Sequence, residues 1–375
     1  MPTAQRLERP LTANPEVFPV AQQGVGVHFP TLAVRQRAVV DIVGCDALEP
    51  PTASFRCVLT AEVGLLFDLG VLPRVRQVWP DVDDAAFLAK WRGGFELYCS
   101  LALASIVCSA RRPVAISLAS RMFRAFHVDE AGIAALGLRV VPFVFRVLER
   151  AACHRAALVS AWILVLDEAL DEGLNNIPLA QRPDVLVATM RGFLPDDATA
   201  ELRAVHVLGA AIRGTVKDAA DQTHLARVLD DVEAWACGEV KNLLGEPDPH
   251  GVSHRTIGIT ASMDLLGWAV RNYAASVEHQ FLYRVAELGQ MVDDWLDLDK
   301  DLAQGRITPA TTGVWNPDTM GACYAAAESL LHQLADDVGE PRSEPTHTQG
   351  AYRRLLVRTF RGQVQHMVRC LVENP

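Results

Sequence analysis

The sequence predicts an all-α protein, and three observations carry that prediction. Apolar residues recur about every 3.6 residues over most of the chain, clusters of Pro, Gly, Asn and Asp separate these stretches, and alternating Val/Ile-rich segments typical of strands are few. The chain has 375 residues, of which 50% are hydrophobic. It can therefore bury a sizeable core, either as one large helical domain or as two smaller ones.

The pattern divides the chain into a Pro-rich N-terminal arm, residues 1–52, and a helical domain, residues 53–375. Seven prolines and the lack of a sustained period mark the arm, in which one short helix is expected around Thr31–Val43. In the domain, the apolar spacing predicts helices over 84–110, 114–126, 141–172, 198–219, 223–244, 256–303, 318–338 and 348–373.

Composition argues against several classes of function. The net charge of −10 and the lack of a Lys/Arg-rich block argue against a nucleic-acid partner. Eight cysteines without C-x-x-C spacing argue against a zinc site or a disulfide framework. Residues 1–30 lack the apolar core of a signal peptide, and charged residues interrupt every apolar segment before about 18 residues. We therefore expect a cytoplasmic protein without a transmembrane segment.

Two acidic runs, 167–172 and 293–301, are the most informative feature of the chain. Each emerges from a strongly apolar stretch, whereas the acidic residues of 230–233 and 336–337 are interpreted as solvated helix faces. On an α-helix, residues four apart lie on one face. This spacing pairs Asp167 with Asp171, and it aligns Asp293, Asp297 and Asp301.

Stacked carboxylates weaken a helix by a few tenths of a kcal/mol per pair. Burying them without a counter-charge costs far more. Two such stripes facing one another would bind hard divalent cations, above all Mg²⁺ carrying substrate phosphates. Since a single acidic run is more often a solvated face, the prediction of a site depends on the pair.

DExxD at 167–171 and DDxxD at 293–297, in a helical chain, resemble the motifs of the class I isoprenoid synthases. That superfamily includes the trans-prenyl diphosphate synthases and the class I terpene cyclases. Arg255-Thr256 lies close to where prenyl synthases place a Lys-Thr pair on the diphosphate. The resemblance covers about residues 140–310 and implies a single large helical bundle around a central apolar cavity.

The resemblance also implies a role for each candidate residue. Mg²⁺, as three ions and with Mn²⁺ as an alternative metal, would be held by Glu168 and by five catalytic aspartates: Asp167, Asp171, Asp293, Asp297 and Asp301. The diphosphate would be bound by Arg255, Lys300, Arg353 and Arg354. The cavity would be lined by Trp162, Trp268 and Phe281, although aromatic residues at helical spacing are more often plain packing. Asp294 and Asp299 point about 100° or more away around the helix and are interpreted as supporting or surface residues.

Chain-elongating prenyl synthases carry GGKRxRP before the first acidic motif and Arg-Arg-Gly just after it, and this sequence has neither. The missing second substrate site implies a terpene cyclase, that is, a lyase that ionises a linear prenyl diphosphate with Mg²⁺, cyclises the carbocation and releases pyrophosphate. A substrate of about 15 to 20 carbons or longer is expected. Two alternatives stay open: a prenyltransferase that uses isopentenyl diphosphate or another acceptor, and a non-catalytic binding subunit of a prenyl synthase. The expected partner is a small-molecule prenyl diphosphate, and a homodimer is left open.

Overall fold

The computed structural model describes residues 29–44, 63–79, 94–95, 98–99, 102, 150–244, 252–270, 277–336, 368 and 371–372. Within these residues the regular structure is helical and no strand occurs, which confirms the predicted all-α class. No helix in these ranges combines the length and the apolar character that crossing a membrane requires.

The helices are numbered in chain order. They are α1 (Leu32–Val43), α2 (Leu72–Val78), α3 (Arg150–Glu168), α4 (Arg182–Arg191), α5 (Ala200–Arg213), α6 (Ala219–Leu243), α7 (Val252–Val270), α8 (Val277–Leu296), α9 (Leu298–Ala303) and α10 (Pro317–Asp336). Two π-helical turns, Phe67–Val71 and Ala169–Gly173, lie directly before α2 and directly after α3.

Helix α1 confirms the short helix that was expected around Thr31–Val43. The prediction of one helix over 256–303 was wrong near its end, because α8 ends at Leu296 and Asp297 separates it from α9. The carbonyl oxygen of Leu296 accepts a hydrogen bond from the Arg35 guanidinium of α1. Three predicted helices lie wholly or largely outside the described residues: 84–110, 114–126 and 348–373.

Among the described helices, α7 packs against three others, α3, α6 and α8. Near its C-terminal end, the Trp268 ring lies 4.4 Å from the guanidinium carbon of Arg155, which is near the start of α3. The Trp268 indole N–H also donates to the carbonyl oxygen of Asp221 near the start of α6. These contacts show that α3 and α6 run antiparallel to α7.

The opposite end of α7 meets the ends of its neighbours. Arg255, near the start of α7, pairs with Asp294, which lies two residues before the end of α8. Helix α8 therefore also runs antiparallel to α7. Since the acidic runs lie at the C-terminal ends of α3 and α8, the fold brings both runs to the same end of the bundle. The C-terminal end of a helix carries partial negative charge, so carboxylates there are electrostatically unfavourable unless cations offset them.

A second pair of carboxylates lies farther along α7, at its interface with α6. The carboxyl group of Asp264 is hydrogen-bonded to that of Asp231, and His279 Nε2 lies 3.6 Å from Asp264 Oδ1. Burial, followed by the negative charge of Asp231, raises the pKa of Asp264 to about 6, against the opposing charge of Arg227. The folded protein therefore favours the protonated form of Asp264 more than the unfolded chain does, although the carboxyl group is mostly ionised at neutral pH.

This shift predicts that Asp264→Asn stabilises the protein near neutral pH. Because the pKa is raised on folding, the stabilisation by Asp264 is fully present below about pH 4 and is lost as the pH rises through about 6. A shift of about two units corresponds to about 3 kcal/mol, and the partial exposure of the carboxylate reduces our expectation to about 1 kcal/mol. Urea unfolding of both proteins at about pH 7.5 and about pH 4 measures this difference.

The exposed Asp230→Asn, one residue from Asp231, serves as the control, and it should change the free energy of unfolding little at either pH. An equal gain for Asp264→Asn at both pH values would contradict the assignment, since protonation could not then be its cause.

Candidate functional site

The first acidic run begins on α3 and continues through a π-helical turn. Asp167 is exposed and Glu168 is half-buried at the end of α3, and Ala169–Gly173 then forms the π-turn. A π-helix bonds residue i to residue i+5 rather than i+4, and such turns are frequent at functional sites. The unbroken α-helical register assumed between Asp167 and Asp171 was therefore wrong. The side chain of Asp171 lies outside the described part of the chain, so its role as a metal ligand stays a prediction.

Gly173 ends the π-turn where it meets the start of α5. A Cβ atom at this position would lie 2.8 Å from Glu201 Cβ and 3.2 Å from Thr199 Oγ1. Thr199 is the N-cap of α5, and its side chain accepts a hydrogen bond from the Leu202 amide. The absence of a side chain at residue 173 thus allows the end of the first run to lie directly on α5.

The second acidic run keeps its predicted register across the junction between α8 and α9. The Asp297 amide donates to the Asp293 carbonyl at 2.9 Å, and the Asp301 amide donates to the Asp297 carbonyl at 2.9 Å. The three aspartates therefore remain spaced by successive four-residue turns. Asp293 is exposed, Asp297 is partly exposed and Asp301 is buried, so the exposure of these three carboxylates falls from the first to the last.

Like charges crowd the second run. Burial, with the charges of Asp294 and Asp297, raises the pKa of Asp293 to about 6, although Arg255 and Lys300 oppose the shift. Asp293 keeps contact with solvent while protein surrounds the rest of its carboxylate. Burial and the charge of Asp294 also raise the pKa of Asp301. Carboxylates held together in this way favour either a shared proton or a cation.

Tyr98 connects the two runs electrostatically. Burial raises the pKa of its phenol, and the negative charges of Asp167 and Asp293 raise it further. Asp167 belongs to α3 and Asp293 to α8, so carboxylates from both acidic runs raise the pKa of one phenol. Sequence reasoning missed Tyr98, because a single tyrosine in a helical stretch carries no spacing signal.

Asp294 lies behind the exposed carboxylates and is buried. Arg255 binds both of its oxygens, with NH2–Oδ1 and Nε–Oδ2 distances of 2.9 and 3.1 Å, and Gln290 donates to Oδ1 at 2.9 Å. Asp294 is therefore buried rather than on the surface, and its support of a metal site stays a prediction. Arg255 was predicted to bind diphosphate, and in this structure its guanidinium is engaged by Asp294.

A hydrogen-bonded layer continues from Arg255 into α6. His254 Nε2 lies 2.7 Å from Glu239 Oε1, the Trp235 indole donates to the same oxygen at 3.2 Å, and an Arg255 nitrogen lies 3.9 Å from it. Burial disfavours ionised Glu239, but the His254 hydrogen bond and the charges of His254 and Arg255 outweigh burial and lower its pKa. This layer joins the ends of α6 and α8 to the start of α7.

The remaining predicted residues differ in setting. Lys300 is exposed and its ammonium lies 2.8 Å from Asp297 Oδ2. Arg353 and Arg354 lie outside the described residues. The three aromatic candidates, Trp162, Trp268 and Phe281, are buried in the core. The Trp162 indole donates to the Val205 carbonyl at 3.0 Å. A role for these rings in lining a cavity stays a prediction.

The donor set suits Mg²⁺ by its chemistry, since Asp167, Asp293 and Asp297 offer hard carboxylate oxygens in contact with solvent. Their arrangement is not that of a preformed centre. Among the residues for which side chains are described, no three His, Cys, Asp or Glu side chains are grouped closely enough to hold a metal ion. The metal site therefore stays a prediction.

No protein-family model, curated protein or solved structure matches the chain. The resemblance to the class I isoprenoid synthases therefore rests on the acidic motifs and their surroundings alone.

Proposed function

We propose that the chain is a class I terpene cyclase that ionises a linear prenyl diphosphate and releases pyrophosphate. The observation that carries this proposal is that the acidic C-terminal ends of α3 and α8 lie at the same end of the bundle. A structural role explains this convergence poorly, because it places like charges together at the negative ends of two helices. A site for divalent cations and a diphosphate gives those charges a counterpart.

In the proposed reaction, Asp167, Asp293 and Asp297 would hold Mg²⁺. Glu168, Asp171 and Asp301 would add further carboxylates from the same two acidic runs. When bound, Mg²⁺ offsets the negative charge that grows on the diphosphate oxygens as the carbon–oxygen bond breaks. Lys300 is exposed beside Asp297 and would bind a diphosphate oxygen as a flexible point charge.

Arg255 would have a different part in this site. Arg255 makes a bidentate contact with buried Asp294. In the proposed site this contact would fix the backbone next to Asp293 and so hold the Asp293 carboxylate in its exposed position. The apolar residues that precede each run on α3 and α8 would exclude water from the carbocation. The carbocation would then be attacked by a double bond of the same prenyl chain to close a ring, and the cyclised cation would lose a proton to the released pyrophosphate or capture water.

The test of this proposal is pyrophosphate release with Mg²⁺ from prenyl diphosphates of about 10, 15, 20 and 25 carbons, with and without isopentenyl diphosphate. We expect release from at least one substrate alone, a cyclic product in the organic extract, and loss of release when EDTA removes the metal. Release only with isopentenyl diphosphate would replace the cyclase by a prenyltransferase. Binding of prenyl diphosphate without release would favour a non-catalytic subunit, and neither binding nor release would refute the proposal.

A further inference from the structure

Helix α1 brings a buried arginine to the second acidic run. Arg35 is 1% exposed, and its guanidinium binds both oxygens of Asp299, at 3.1 Å to Oδ1 and 2.7 Å to Oδ2. The carboxylate of Asp299 is otherwise open to solvent, with 70% of the side chain exposed. Helix α1 packs against α8 and α10, so this contact belongs to a helix interface.

The same guanidinium also binds two backbone carbonyl groups. It donates to Leu296, the last residue of α8, at 3.3 Å, and to Pro30, ahead of α1, at 2.9 Å. Leu296 and Asp299 lie on either side of Asp297, which has left the helical conformation. One side chain therefore holds both flanks of the residue at which α8 passes into α9.

Stability alone explains Arg35 poorly. Its guanidinium is shielded from solvent, and the buried Nε atom has no hydrogen-bond partner that would compensate for the lost hydration. Ion pairs with a buried partner often contribute little net stability, because desolvation offsets the attraction. They do fix geometry, since a planar guanidinium that binds a carboxylate in bidentate fashion allows few orientations.

Asp299 is one of five aspartates in the second acidic run. Arg35 engages Asp299 at one flank, as Arg255 engages Asp294 at the other. Asp293 and Asp297 then keep solvent contact between these two anchored positions.

We propose that Arg35 is a positioning residue, which holds the junction between α8 and α9 through its bonds to Asp299 and to the Leu296 carbonyl. In this way it sets the affinity of the second run for Mg²⁺ and diphosphate. The inference rests on the proposed function and extends the site to a helix that carries neither acidic motif.

The experiment compares three substitutions in the full chain: Arg35→Gln, Asp299→Asn and the control Arg37→Gln. Arg37 lies on the same helix, where it pairs with Asp41 on the exposed surface at 3.0 Å. Calorimetry measures the affinity for inorganic pyrophosphate with Mg²⁺, and hydrogen exchange measures the protection of amides 297–304. We expect binding about 10- to 100-fold weaker for Arg35→Gln and Asp299→Asn, with faster exchange, and neither change for Arg37→Gln. Arg35→Lys should recover part of the affinity, because one ammonium group cannot replace a bidentate contact.

Each outcome separates this inference from the proposed function. A wild-type protein that binds no Mg²⁺-pyrophosphate would overturn the proposed function, and this inference with it. Wild-type binding that is unchanged in both Arg35→Gln and Asp299→Asn would overturn the inference alone. Faster exchange with unchanged affinity would also overturn it, because Arg35 would then serve stability only. If Arg35→Gln does not fold, Asp299→Asn decides the question, since the exposed carboxylate can be replaced without a cavity.

Discussion

Asp167→Asn and Asp293→Asn should each lower the rate of Mg²⁺-dependent pyrophosphate release by at least about 10²- to 10³-fold. That range is typical when one group that stabilises transition-state charge is removed. The two residues lie on different helices, α3 and α8, and the charges of both raise the pKa of Tyr98. Each substitution preserves the shape of the side chain and removes the charge that would hold the metal. The measurement is kcat for pyrophosphate release, with the most reactive prenyl diphosphate and saturating Mg²⁺.

The control for this prediction is Asp230→Asn, which removes an aspartate with 68% of its side chain exposed at the surface, where it pairs with Arg191. Its kcat should equal that of the wild type. Without metal, Asp293→Asn should unfold at a temperature no lower than the wild type, because it relieves crowding with Asp294 and Asp297. Loss of both activity and stability in Asp293→Asn would instead indicate a structural carboxylate.

Asp221→Asn should destabilise the fold by about 3–5 kcal/mol, the cost of leaving a buried charge without its partner. Arg155 binds both oxygens of Asp221, at 3.0 and 2.8 Å, and both side chains are buried. The guanidinium also donates to the Thr215 carbonyl and stacks on Trp268, so it cannot move to solvent without breaking the core. Urea unfolding with the slope held in common measures the loss.

The matched control is Arg191→Met, which removes the exposed ion pair with Asp230 and should cost no more than about 1 kcal/mol. The double substitution Arg155→Met with Asp221→Asn should cost less than the sum of the two single changes, because the second removes a charge already unpaired. A loss below about 1 kcal/mol for Asp221→Asn would show that the pair contributes no more than a surface contact. Since Arg155 lies at the opposite end of α3 from Asp167, we expect these variants to affect stability rather than metal binding.

Local patterns were sufficient for part of the candidate site. The α-helical period aligned Asp293, Asp297 and Asp301, and the hydrogen bonds between their backbones maintain that spacing even where α8 ends. The same reasoning failed for the first run, because a π-turn replaces the α-helix after Glu168. The π-turn ends at Gly173, which lies close to the start of α5. This contact depends on a helix that begins 27 residues later, at Ala200, so local spacing could not predict it.

The angular position of a side chain around the helix also did not distinguish Asp294 from Asp299. Asp294 and Asp299 both point away from the aligned face, and the sequence assigned both to a supporting or surface position. In the structure, Asp294 is buried against Arg255, whereas Asp299 is exposed and bound by Arg35. Helical geometry gives the direction of a side chain, but the neighbour found in that direction depends on how the helices pack.

The sequence by itself therefore determined the all-α class, the position of α1 and the register of the second acidic run. These features follow from contacts within about one helical turn, for which apolar spacing and turn residues are sufficient. Only the tertiary structure decided which carboxylates are held by arginines and which keep solvent contact. It also decided that the charges of both acidic runs raise the pKa of one tyrosine, Tyr98. Arg35 and Asp299 are 264 residues apart in the chain. No local pattern encodes such a pair, because its energy depends on desolvation and on partners that only the packed helices bring together.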